Sequence, residues 1–124
     1  MTLEQAIAKI QTDWAVSRKA QSGITSEYSS PKIEAVWCGK SDTAGMYEVD
    51  EEWIGVTEGG KIAWAYASGC SCWDGDFSEE RFASMKEVTL SQTHNTPEAW
   101  EACIIKFAET GIMQDMTGVA KSNY

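Results

Sequence analysis

Two kinds of residue in this chain carry the chemistry from which a site could be built: four cysteines and a run of acids. Cys38, Cys70, Cys72 and Cys103 match in number the ligands of a structural zinc. Their spacing does not match, because it gives one C-x-C pair and two isolated thiols where zinc sites use C-x-x-C. Cys103 also falls on the apolar stripe of a predicted helix, where a free thiol behaves as a small hydrophobe. Asp74, Asp76, Glu79 and Glu80 alternate oxygen ligands as calcium loops do. Counted from Asp74, however, an EF-hand needs Gly where Glu79 stands and Glu where Met85 stands. No metal and no cofactor is expected. The even cysteine count suits a disulfide framework in an exported chain. The opening MTLEQAIAKI lacks the basic and apolar regions of a signal peptide, so reduced thiols and a cytoplasmic location are expected.

Catalytic candidates are few. The chain has one histidine, His94, which could serve as base to Cys70 or Ser71 if the fold brought them together. The acids beside Cys70 and Cys72 do not lower a thiol pKa. No G-x-S-x-G, P-loop or G-x-G-x-x-G occurs. The expectation is a protein without catalytic residues, with a thiol-dependent enzyme using Cys70 or Cys72 as a further alternative.

Residues 68–82, SGCSCWDGDFSEERF, combine two glycines, two thiols and three aromatics between two predicted strands. Ser68, Gly69, Cys70, Ser71 and Cys72, with Phe77 and Glu79 beyond, resemble a group of small phage and prophage proteins of uncharacterised function. In that group a strand ends in a Ser- and Cys-rich run followed by an aromatic and acidic stretch. The likeness covers about an eighth of the chain, and Trp73 departs from the pattern. It implies phage origin and an intracellular accessory role, and it implies no activity.

Charge narrows the partners. The chain carries 19 acids and 10 bases, a net charge of −9, and the excess lies in residues 42–124, which hold 15 acids and five bases. Nucleic acids are bound mainly by neutralising phosphates, so this balance argues against direct nucleic-acid binding and against an anionic membrane. A host protein with a basic surface fits better. In that reading the chain is a small acidic inhibitor of a host defence system, comparable in composition to anti-CRISPR and anti-restriction proteins. Its partner surface is Asp50, Glu51, Glu52, Trp53, Trp73, Asp74, Asp76 and Phe77, with the aromatics as buried anchors. The alternative is a sponge for a nucleotide signal, with Trp64, Tyr66, Trp73 and Phe82 stacking on a base and Arg81 and Lys86 meeting phosphates.

These residues need elements to hold them. At 124 residues the chain suits a single domain, 1–124, and no apolar run of 18 residues exists to span a membrane. Residues 2–21 read as a helix with Thr2 as N-cap and Gln5 as its capping-box partner. Leu3, Ile7, Ile10 and Trp14 form a narrow stripe along it, a candidate contact for a homodimer or larger homo-oligomer. Residues 21–31 read as a polar connector. A β-meander of about four antiparallel strands follows over 32–91, with strands near 32–38, 47–56, 61–68 and 86–91. Glu58-Gly59-Gly60 marks the hairpin turn between the second and third strands. On the third strand Ile62, Trp64 and Tyr66 share one face and Ala63, Ala65 and Ala67 the other, and the alanine face is expected to take a helix. Residues 96–110 read as a second helix, with Thr96 as N-cap, Pro97 at N1 and Gly111 at C′. Residues 112–124 are a tail that Ile112, Met113 and Met116 could tether. The sum is an α+β fold, with the C-terminal helix packed on one face of the sheet.

Overall fold

The computed structural model describes residues 1–20, 33–42, 48–70 and 85–116. The layout is α+β. Helices α1 (Leu3–Thr12) and α2 (Trp14–Ala20) precede strands β1 (Ala35–Asp42), β2 (Glu48–Thr57), β3 (Ile62–Cys70) and β4 (Lys86–Val88). A 3₁₀ turn (Leu90–Gln92), helix α3 (Pro97–Thr110) and the short strand β5 (Gln114–Asp115) follow. The strand order is β4-β3-β2-β1-β5. The first four strands form the expected antiparallel meander, whereas β5 runs parallel to β1 and makes the sheet mixed.

The helix ends follow from local chemistry. The Gln5 N–H donates to Thr2 Oγ1 at 3.1 Å and the Thr2 N–H donates to Gln5 Oε1 at 2.9 Å, a reciprocal capping box. At the start of α3 the Ala99 N–H donates to Thr96 Oγ1 at 3.3 Å. Its end uses Gly111 at φ 73°, a left-handed conformation that side chains disfavour. Lys9 Nζ reaches across from α1 and donates to the Ala108 carbonyl at 2.9 Å, placing a cation at the negative end of α3. The helix expected over 2–21 is broken at Asp13, where ψ opens to 16°. Beyond the break, Arg18 Nη1 of α2 donates to the Ala35 carbonyl of β1 at 3.0 Å.

The expected turn closes the β2–β3 hairpin. Thr57 N–H donates to the Lys61 carbonyl at 2.8 Å, and Lys61 N–H donates to Thr57 Oγ1 at 3.0 Å. The fourth strand is shorter than 86–91, because the chain coils into the 3₁₀ turn after Val88 and Thr89. The tail is tethered through β5, and the Met116 N–H donates to the Lys40 carbonyl at 2.7 Å.

The helices cover one face of the sheet. Val36, Cys38, Ile54, Val56 and Trp64 pack there with Ala6, Ile10, Trp100, Cys103, Ile104, Phe107 and Ala108. The opposite face buries Ala35, Trp37, Trp53, Ala63, Ala65 and Met85. This corrects the expectation for β3: the alanine face takes tryptophans, and the helices lie on the Ile62–Trp64–Tyr66 face. Two indoles fill the space that small alanines leave, with Trp37 and Trp53 meeting edge to face at 6.2 Å.

The oligomer stripe is corrected as well. Ile10 is buried, and Leu3, Ile7 and Trp14 pack against the core of the same chain. The stripe is consumed in seating α1 on the core beside α3, so it is not a free seam.

A bulge at Cys38 resets β1. Trp37 pairs with Gly55, but the next paired residue is Gly39, opposite Ile54. The extra residue lets both Cys38 and Gly39 lie beneath α3. A Cβ on Gly39 would stand 2.2 Å from Cys103 Sγ and 3.1 Å from the Gln114 carbonyl, so only glycine fits. Gly39→Ala is therefore expected to lower the unfolding free energy by about 2 kcal/mol. Most of that loss should return in the Gly39→Ala/Cys103→Ala double variant, as read by urea unfolding. Additive losses would show that the clash with Cys103 is not the cause.

Candidate functional site

The most concentrated polar geometry among the described residues surrounds Glu52. It sits on β2 in phase with Ile54 and Val56, so strand alternation turns it under the helices. It is 2% exposed. Five N–H groups converge on its carboxylate. Oε2 accepts from Trp64 Nε1 at 2.7 Å and from the His94 backbone N–H. Oε1 accepts from Asn95 Nδ2 at 2.6 Å, Trp100 Nε1 at 2.9 Å and the Asn95 backbone N–H at 3.1 Å. All five partners are donors, which complements an ionised carboxylate that only accepts. They come from β3, from the segment before α3 and from the first turn of α3.

That segment is itself braced. Thr93 Oγ1 donates to the Leu90 carbonyl at 2.8 Å and to the Asn95 carbonyl at 3.0 Å. The brace presents two successive N–H groups, His94 and Asn95, to one carboxylate. It also turns the His94 ring onto the aromatic face of β3. The ring meets Tyr66 at 4.2 Å between centroids and Trp64 at 5.5 Å, edge to face in both cases. Trp64 and Tyr66 lie parallel at 5.6 Å, and Lys86 Nζ stands 5.0 Å from the Trp64 ring centroid. The cluster is an aromatic patch at the β4 edge of the sheet, with a saturated acid beneath it.

The structure gathers some of the expected site residues and separates others. Trp64, Tyr66 and Lys86 of the ligand set come together, and His94 joins them. Trp73, Arg81 and Phe82 lie outside the described residues, as do Asp74, Asp76 and Phe77 of the partner surface. Asp50 and Glu51 occupy β2 opposite Ser68 and Ala67. Two partner-surface residues are corrected. Glu52 is buried with its hydrogen bonds used inside the fold, and Trp53 is 6% exposed on the other face, with Lys40 Nζ 5.7 Å from its ring centroid. Neither is available to anchor a partner. Asn95 and Trp100 were not singled out as polar partners, because their sequence positions give no sign of the acid they bind. The proposed pairing of His94 with Cys70 or Ser71 involves side chains outside the described set.

Cys38 and Cys103 are free and buried. Burial pushes the Cys103 thiol up to about 12 from 9.0. Burial holds Cys38 well above the same value, and the neighbouring Cys103 adds to the effect. Among the described residues no group of three or more His, Cys, Asp and Glu is placed to hold a metal ion. No family model, no curated protein and no solved structure matches the chain.

Two outcomes follow from this geometry. Glu52→Gln replaces one acceptor oxygen with an amide N–H that faces donors. It should cost about 3 kcal/mol of stability in urea unfolding and move the indole N–H resonances of Trp64 and Trp100. Unchanged stability would contradict the network. The raised Cys103 pKa gives a stability contribution that is complete below about pH 9. It is lost as pH rises toward about 12, because the unfolded thiol ionises first. The fall in urea midpoint between about pH 8 and about pH 10.5 should therefore be shallower in Cys103→Ala.

Proposed function

We propose that this chain is a small, non-catalytic, acidic binding protein of phage or prophage origin that inhibits a host defence protein. It works in the bacterial cytoplasm by presenting an acidic, aromatic surface to a basic one. The observation that carries the reading is the register of the β2–β3 hairpin. Glu48 pairs with Cys70 and Asp50 with Ser68. The acidic start of β2 therefore lies at the same end of the sheet from which segment 71–84 departs. That segment contains Trp73, Asp74, Asp76 and Phe77. The second acidic stretch therefore follows directly in sequence from the strand end that pairs with the first. With Glu52 and Trp53 assigned to the interior, the partner surface contracts to Asp50 and Glu51 with Trp73, Asp74, Asp76 and Phe77. A field of one sign speeds encounter with a basic partner, and aromatic anchors supply the short-range contacts.

A second reading is favoured by the aromatic cluster. Of the nucleotide-sponge set, Trp64 is 7% exposed and donates to Glu52, which leaves Tyr66 and Lys86 as its accessible described part, and a ring with a nearby ammonium is the chemistry that binds a base and a phosphate. The acids on β2 weigh against an anionic ligand, so the inhibitor reading stands first.

The test expresses the chain in bacteria carrying a panel of defence systems and scores phage plating. Inhibition of one system is expected, with loss of inhibition in the Asp50→Lys/Glu51→Lys variant. Binding to the purified target should weaken roughly tenfold as salt rises from about 50 to about 300 mM. Inhibition that survives charge reversal would overturn the acidic-surface reading. A nucleotide released intact from the purified protein, seen by native mass spectrometry, would replace it with the sponge.

A further inference from the structure

Cys38 and Cys103 are not used by the reading above, and their placement has its own chemistry. Cys38 is the extra residue of the β1 bulge, and its Sγ lies 3.6 Å from the Val36 carbonyl. Cys103 sits on the sheet-facing side of α3, and its Sγ presses into the space that Gly39 leaves open. Consecutive Cα atoms are about 3.8 Å apart, so the Cys103 sulfur contacts the strand one residue from Cys38. Both thiols are free, both belong to the same core cluster, and each is near enough for the charge of one to act on the other. The missing side chain at residue 39 thus lets a helix thiol approach a strand thiol.

We propose that Cys38 and Cys103 are a latent redox staple, which hydrogen peroxide converts to a disulfide joining β1 to α3. The Cys103 sulfur attacks a peroxide oxygen, the O–O bond breaks, and water leaves after taking up the thiol proton. The resulting sulfenic acid is attacked by the Cys38 sulfur. The S–O bond breaks and a second water leaves, carrying the second thiol proton. One peroxide accepts two electrons, and one S–S bond forms. Both thiols are buried and protonated at neutral pH, so the reaction is slow and follows transient separation of α3 from β1. The product ties the helix that binds Glu52 to β1, the strand between β2 and β5. It closes a long loop, which restricts the unfolded chain.

The experiment treats the folded full-length protein with hydrogen peroxide, alkylates the remaining thiols under denaturing conditions and digests with trypsin without reductant. The expected product joins the peptide of residues 33–40, which contains Cys38, to that of residues 87–106, which contains Cys103. It should dissociate with dithiothreitol. The oxidised protein should melt several degrees higher than the reduced protein, and Cys103→Ala should show neither cross-link nor shift. Recovery of Cys38 and Cys103 both alkylated would overturn the proposal. So would peptides linking either of them to the peptide of residues 62–81, which holds Cys70 and Cys72.

Discussion

A buried carboxylate that the described residues surround with uncharged donors lies at the centre of this fold. Taking an ionised group out of water is unfavourable by many kcal/mol unless hydrogen bonds replace its hydration. Among the described residues Glu52 obtains five, all from uncharged donors. The donors are two backbone N–H groups, one amide and two indoles, each fixed in direction by the element that carries it. The acid therefore acts as a template. β3 must present Trp64, the segment before α3 must present His94 and Asn95, and α3 must begin where Trp100 reaches the same carboxylate. Sliding any one of these by a residue would leave a buried charge and its donors unpaired. Hydrophobic contact alone would tolerate such slips more readily, because dispersion has no direction.

The remaining architecture follows from dividing the tryptophans between the two faces of a narrow sheet. Trp64 and Trp100 lie on the helix side, where their N–H groups have the carboxylate to bind. Trp37 and Trp53 lie on the other side against the alanines of β3. The bulge at Cys38 makes the division possible. It carries Trp37 to one face and then places Cys38 and Gly39 under α3. Without the extra residue, strict alternation would turn the next residues of β1 the other way. Close approach of α3 follows from the absent side chain at Gly39, and close approach brings Cys103 against the strand.

How much of this was legible depended on the range of the interaction. Thr2 with Gln5, and Thr96 with Pro97 and Gly111, are local signals, and both helix boundaries were readable from them. The Glu58-Gly59-Gly60 turn was equally local, and the hairpin register followed from it. The break at Asp13 had no such signal, because the apolar spacing of Leu3, Ile7, Ile10 and Trp14 runs through it unbroken. The role of Glu52 was hidden for another reason. Its donors lie between 12 and 48 residues away in sequence, and it follows two other acids, so Asp50-Glu51-Glu52 reads as a solvated run. Parity with Ile54 and Val56 was the available clue, since a strand that buries 54 and 56 on one face must turn 52 the same way. Two-residue β5 pairs in parallel at a register that tail composition does not encode.

Moving Glu52 indoors changes what the acidic stretch of β2 can do. An acid triplet in solvent contributes field and little else. Here one member ties the strand through five bonds to β3, to the segment before α3 and to α3 itself, and the residues N-terminal to it are carried on a backbone that the anchor holds. The same strand pairs along Glu48–Val56 with β3, so the acids at its start sit on an antiparallel ladder. Binding surfaces that are already rigid lose less conformational freedom on association. The buried charge thus fixes β2 in register against β3, and the acids at the start of the strand are carried on that same ladder.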